Sequence, residues 1–116
     1  MLLAELLGVR PGVAAVVGGG GKTTLLRTLG TELAAGGARV LLCATTKIFP
    51  FAGLPNLTDP TEAALAEALE TRRLVCAGVP VPGTGKLTAP GISVSRLAAL
   101  ADYVLVEADG SAGRPL

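Results

Sequence analysis

Residues 13–17, Val-Ala-Ala-Val-Val, run directly into Gly18, Gly19, Gly20 and Gly21 and then into Lys22-Thr23-Thr24-Leu25-Leu26. This succession constrains the chain more than any other feature: an apolar strand, four glycines that neither helix nor strand favours, and the opening of a helix. Four glycines let successive backbone N–H groups turn inward on an anion with no Cβ in the way. The following helix aims the positive end of its dipole at the same point. In such an arrangement Lys22 reaches the β- and γ-phosphates of a nucleotide and the Thr23 hydroxyl ligates Mg²⁺. Gly18 to Gly21, Lys22, Thr23 and Thr24 are therefore the first candidate binding residues.

The usual spacing of such loops, Gly-x4-Gly-Lys-Ser/Thr, puts its first glycine where this chain has Val16. Here the spacing is shorter, Gly18-x2-Gly21-Lys22-Thr23, and resembles the tight loops of the Mur ligase branch of P-loop proteins. A glycine-rich turn that binds nothing is the competing reading. Against it stands the context. Leu25, Leu26, Leu29 and Leu33 fall on one helical face, and Gly36-Gly37 supplies a stop.

Apolar runs alternate with helical patterns along the chain in the order of parallel βαβ units. The strands expected are about residues 13–17, 39–44, 73–77 and 102–107. Asp59-Pro60-Thr61-Glu62 reads as an N-cap, a first-turn proline and a capping-box glutamate, opening a helix that buries Leu65 and Leu69. Ser93 reads as the cap of a short helix carrying Leu97 and Leu100. The fold expected is α/β, a P-loop NTPase-like three-layer sandwich with a mainly parallel sheet. Two stretches are irregular. Residues 48–56, with Pro50, Phe51, Gly53, Pro55 and Asn56, should pass over the carboxyl edge of the sheet as a switch loop or an ordinary crossover. Residues 78–87 read as a β-ribbon, and their Gly83-Thr84-Gly85-Lys86 resembles a phosphate loop only in letters, since no long amphipathic helix follows.

The second strand ends in Ala44-Thr45-Thr46-Lys47, beside the glycine loop if the sheet is parallel. Thr45 and Thr46 would offer hydroxyls to Mg²⁺ or the γ-phosphate, and Lys47 would offset phosphate charge during transfer. A β-branched strand end with a solvated lysine is the plain alternative. The last strand ends in Val106-Glu107-Ala108-Asp109-Gly110, delivering a carboxylate where a P-loop site needs one. Glu107 and Asp109 lie two apart and share a face of a continuing strand. Glu107 with Thr23 is the candidate metal pair, and Lys22, Lys47 and Asp109 are the candidate catalytic residues. An ordinary acidic turn is the alternative.

With 116 residues the chain has room for one domain, residues 1–116. A formal net charge of +1, no Trp, two Phe and one Tyr give neither the basic field nor the stacking platforms of a polynucleotide binder. Cys43 and Cys76 sit in apolar strand patterns and read as buried hydrophobes, because the chain has no His and no Cys-x-x-Cys. Met1-Leu-Leu-Ala-Glu5 lacks the basic start of a secretory signal, and no apolar run approaches the ~20 residues that cross a bilayer. A cytoplasmic, membrane-free protein is expected, and a homodimer would cover the open edges of a four-stranded sheet.

Gly18-Gly-Gly-Gly-Lys-Thr-Thr24, Thr45-Thr-Lys47-Ile48 with a following proline, Gly85-Lys86-Leu87, and Val106-Glu-Ala-Asp-Gly-Ser-Ala-Gly-Arg-Pro-Leu116 together resemble the YqeC family. The resemblance implies a P-loop nucleotide-binding fold and an accessory role in maturing a selenium-dependent molybdenum hydroxylase or its cofactor, while ATP or GTP with Mg²⁺ is the ligand expected from the glycine loop itself. Carried over by position, it implies that Lys22 and Thr23 belong to the nucleotide loop, Thr45 to Lys47 to a second block, and Glu107, Asp109 and Arg114 to an acidic motif. The family pattern continues past Leu116, so further sequence is expected there. A small-molecule kinase and a nucleotide-gated carrier with little turnover are the rival functions. ATP is favoured mildly over GTP, because the Asn-Lys-x-Asp signature of GTPases is absent.

Overall fold

A computed structural model describes residues 11–16 and 22–108. In chain order the elements are β1 (Gly12–Val16), α1 (Lys22–Ala35), β2 (Val40–Ala44), β3 (Asn56–Thr58), α2 (Glu62–Arg72), β4 (Leu74–Val81), β5 (Lys86–Thr88), α3 (Val94–Leu100) and β6 (Tyr103–Glu107). Five strands form a parallel sheet in the order β1-β6-β2-β4-β3, and β5 pairs antiparallel with the end of β4.

Every residue of β2 is buried, as expected of a strand covered on both faces. Side chains alternate between two cores. Leu41, Cys43, Val75, Val104 and Val106 pack with Leu65 and Leu69 of α2 and Leu97 of α3. On the opposite face Val40, Leu42, Cys76 and Leu105 pack with Leu26 and Leu29 of α1 and with Phe51. The molecule is thus an α/β three-layer sandwich, with α1 on one face and α2 and α3 on the other. Leu33 also packs on its core, whereas Leu25 is half-buried and outside that cluster.

The end of α1 and the start of α2 each have a local cause. α1 stops where Gly37 takes φ 96°, with Ala38 N–H donating to the Leu33 carbonyl and Gly37 N–H to that of Ala34, a Schellman closure. The cap of α2 is Thr61, whose hydroxyl accepts from Ala64 N–H at 3.1 Å, so the expected cap at Asp59 is corrected by two residues. Asp59 is engaged elsewhere: its N–H donates to the Gly78 carbonyl at 2.7 Å, extending the β3–β4 pairing, and its φ of 49° turns the chain toward α2. Ser93 occupies the cap position of α3, yet its hydroxyl makes no capping bond and lies 3.3 Å from that of Ser95.

Four strands were expected within a residue of where they lie, and β4 runs on to Val81. The short β3 and β5 complete the set. Asn56, expected in an irregular loop, instead opens β3. The expected ribbon is present: Val79, Pro80 and Val81 pair with Thr88, Leu87 and Lys86. Its turn needs positive φ at Gly83 and Gly85 and is closed by Thr84, whose hydroxyl donates to the Val81 carbonyl and accepts from Lys86 N–H.

At the amino edge Arg39 binds two acidic residues. Its side chain reaches Asp102 at 3.2 Å and Glu70 at 3.3 Å, while its backbone N–H donates to Asp102 Oδ2 at 2.8 Å. Asp102 in turn donates its N–H to the Arg39 carbonyl. This cluster joins the entries of β2 and β6 at the end of the sheet opposite the candidate site.

Candidate functional site

Three strand ends meet at one residue. Glu107, last in β6, is in register with Val16 on one side and with Ala44 on the other. The pairing continues one step beyond the strands. Ala108 N–H donates to the Val16 carbonyl at 3.0 Å, and Thr45 N–H donates to the Glu107 carbonyl at 3.1 Å. With neighbouring strands about 4.8 Å apart, the exits of β1 and β2 stand about 10 Å from each other across Glu107. Parallel α/β sheets present their ligands to this carboxyl edge.

Glu107 is 6% exposed and is the buried charged residue among those described. Burying a carboxylate is costly unless it is paired, and no buried polar side-chain atom among the described residues lacks a hydrogen-bond partner. The apolar run that precedes it, Val104 to Val106, packs on both faces and delivers Glu107 to the edge at a fixed height.

The other candidates divide by position. Val16 ends β1 and Lys22 opens α1. Lys22 and Thr23 are the first two residues of α1, and Thr24 is exposed on its first turn. Thr45 and Lys47 are exposed just past β2, and Thr46 is half-buried. The structure therefore brings the start of α1, the Thr45–Lys47 block and Glu107 to one edge. Gly18, Gly19, Gly20, Gly21, Asp109 and Arg114 lie outside the described residues.

The segment after β2 is more firmly held than its composition indicates. Ile48 and Leu87 exchange both backbone hydrogen bonds, at 2.8 and 2.7 Å, sewing the segment to the ribbon. Asn56 accepts from Phe51 N–H and donates to the carbonyls of Phe51 and Leu54, while Phe51 itself is 2% exposed. Between these anchors Phe49 stands 65% exposed, with Lys86 Nζ 5.1 Å from its ring centre. Sequence reasoning missed this clamp. Its one signal was an asparagine closing a Pro/Gly-rich segment, a residue type that bonds nearby backbone.

The ribbon rests on Gly78, where an added Cβ would lie 2.6 Å from the Thr88 carbonyl oxygen. Past Gly78, β4 runs beyond its pairing with β2, so the ribbon rises above the carboxyl edge beside the Thr45–Ile48 segment. Cys43 and Cys76 are buried as expected, and burial pushes both thiols up to about 12. Both thiols therefore stay protonated near neutral pH. Among the described residues no cluster of three or more His, Cys, Asp or Glu could hold a metal ion by itself, and no helix is long and apolar enough to cross a membrane.

A family model described as YqeC protein matches residues 14–116. The chain is 39% identical over 114 residues to "Uncharacterized protein YqeC" of Escherichia coli (strain K12), covering 92% of this chain and 44% of that protein. It thus spans less than half the length of this relative. No solved structure matches the chain.

Proposed function

The chain belongs to the YqeC family, and from that premise we propose that it binds a nucleoside triphosphate with Mg²⁺ at the carboxyl ends of β1, β6 and β2 and hydrolyses it or transfers its γ-phosphoryl group. The observation that supports this most is the register of Val16 with Glu107. It sets the strand that leads into Gly18–Gly21 directly beside the strand that ends in a buried carboxylate. Phosphoryl transfer needs little covalent help from a protein and much positioning and charge stabilisation, which this pairing of loop and acid supports.

In this reading the N–H groups of residues 18–21 and the start of α1 hold the phosphate oxygens. The Lys22 ammonium stabilises charge that develops on the β–γ bridge as that bond breaks. Thr23 and Glu107 would hold a Mg²⁺ ion, a hydroxyl and a carboxylate being oxygen donors of the kind that ion takes. That ion, when bound, neutralises charge on the transferring group. Asp109, two residues past Glu107, takes the proton from a water or acceptor hydroxyl as its oxygen attacks the γ-phosphorus. Thr45 and Thr46 bond the γ-phosphate oxygens, and Lys47 offsets their charge from the β2 side.

The nucleotide proposed is ATP, with GTP as the alternative. The wider role proposed, from the family resemblance, is maturation of a selenium-dependent molybdenum hydroxylase or its cofactor. Phosphate release from Mg-ATP and from Mg-GTP, measured on the purified chain with and without chelator, tests the chemistry. Chelator-sensitive release above the buffer rate supports the proposal, and release no faster than buffer with both nucleotides contradicts turnover by this chain.

A further inference from the structure

The direction in which each helical connection crosses the sheet is coupled to the face it covers. From β1 to β2 the chain moves one way across the order β1-β6-β2-β4-β3, and α1 packs on the face of Leu42 and Leu105. From β3 to β4 and from β4 to β6 it moves the other way, and α2 and α3 pack on the face of Leu41 and Val104. One handedness for all crossovers produces this pattern. A connection that left β6 and continued past β1 would therefore have to cross on the α2/α3 face.

Among the described residues that face is only partly covered at β1, by the approach of α3. Ala14 and Val16 pack toward α1, whereas Val13 is 46% exposed and Ala15 is exposed. Their register partners, Val104 and Val106, lie in the opposite core. One strand further in, Val104 and Val106 line an apolar pocket of about 60 Å³ that extends over Cys43 and Ala44 of β2 and is walled by Val94 and Leu97, with Val94 54% exposed. Among the described residues β1 pairs only with β6, so its outer edge is unpaired too. A partly open apolar face joined to an open edge is a surface that native proteins cover.

We infer that β1 is the seat of a helix–strand unit from a part of the longer family protein outside these residues. The helix lies on Val13 and Ala15 with an apolar side chain in the Val104–Val106 pocket, and the strand pairs in parallel with the outer edge of β1. The family has the length for it, since the alignment leaves more than half of the E. coli relative uncovered. Such a unit moves the glycine-loop strand from the margin of the sheet into its interior and adds a further strand end beside the candidate site. The seat does not depend on what the glycine loop binds.

The test compares alkylation of a cysteine at this face in this chain and in the full-length E. coli relative. In Ala15→Cys of this chain, buried Cys43 and Cys76 give a silent background, and circular dichroism confirms the fold. Val13→Cys serves if Ala15→Cys does not fold. Iodoacetamide labelling, read by peptide mass spectrometry, should be fast in this chain. It should be at least about tenfold slower at the aligned position of the full-length relative, where reaction waits on local opening. Equal rates in the two proteins would overturn the inference. So would slow labelling in this chain, whether it speeds up on dilution, which assigns the face to a second copy, or stays slow at all concentrations, which means the face is already covered.

Discussion

The Thr45 N–H donates to the Glu107 carbonyl at 3.1 Å, which fixes the exit of β2 to the residue carrying the buried carboxylate. The same residue is in register with Val16 at the exit of β1. Glu107 is therefore the fixed point from which both candidate blocks are positioned. Glu107→Gln keeps the shape and removes the charge. It should leave the thermal midpoint within a few degrees while weakening Mg²⁺-dependent triphosphate binding by about ten- to a hundredfold. Titrations with and without Mg²⁺ check this, and an unchanged Mg²⁺ dependence would remove Glu107 from the metal role.

Asn56 makes three hydrogen bonds that hold the Phe51–Leu54 turn. In Asn56→Ala the half-buried backbone groups of that turn lose their partner, at a cost of about 1–3 kcal/mol. Urea unfolding should report that loss, and protease nicking should increase within residues 48–56. A neutral result on both readouts would show that the Ile48–Leu87 bridge alone holds the segment.

Gly78 lies one residue before the β4–β5 pairing, against Thr88 and Leu87. A methyl group there meets the Thr88 carbonyl oxygen at 2.6 Å and Leu87 Cβ at 2.9 Å, and backbone must shift to admit it. Gly78→Ala should destabilise the fold by roughly 1–3 kcal/mol. Gly91→Ala, with nothing within 4 Å of the added carbon, should be close to neutral in the same denaturation series.

Hydrogen bonds from Arg39, first from its side chain and then from its backbone, hold the Asp102 carboxyl below the usual carboxylate range. A folded pKa below the unfolded one means that the unfolded chain binds more protons as the pH drops. The resulting stability is present in full above the ordinary carboxylate value near pH 4 and is lost as pH falls through the lowered value. Asp102→Asn should therefore flatten the acid limb of a stability–pH curve. Because Arg39 and Asp102 are partly exposed, the difference should shrink in high salt. An acid limb unchanged by the substitution would assign the acid sensitivity to other carboxylates.

The central strands were legible from residues because parallel strands covered on both faces must be continuously apolar, as Val40–Ala44 and Val104–Val106 are. The ribbon was legible from its spaced glycines. β3 was not, since a three-residue edge strand carries too little pattern. The cap of α2 was misplaced because Asp59 and Thr61 both suit a cap, and only the pairing of Asp59 with Gly78 decides between them. At the site, a parallel sheet was enough to bring the exits of the first, second and last expected strands to one edge. The position of β6 between β1 and β2 required the tertiary structure, because strand order is set by which faces the helices must cover. The Phe51–Asn56 clamp stayed hidden in a segment whose prolines and glycines read as a loop.

The central claim is that the strand–glycine–helix unit beside Glu107 is a nucleotide site, and isothermal calorimetry on this chain and on its Lys22→Ala variant tests it most directly. With Mg²⁺ present, the account predicts saturable heat with ATP, weaker or absent heat with GTP, and loss of at least about tenfold in affinity when Lys22 is replaced, from removal of a charge-assisted contact. Binding of equal strength to both proteins, or no binding of either nucleotide to this folded chain, would contradict it.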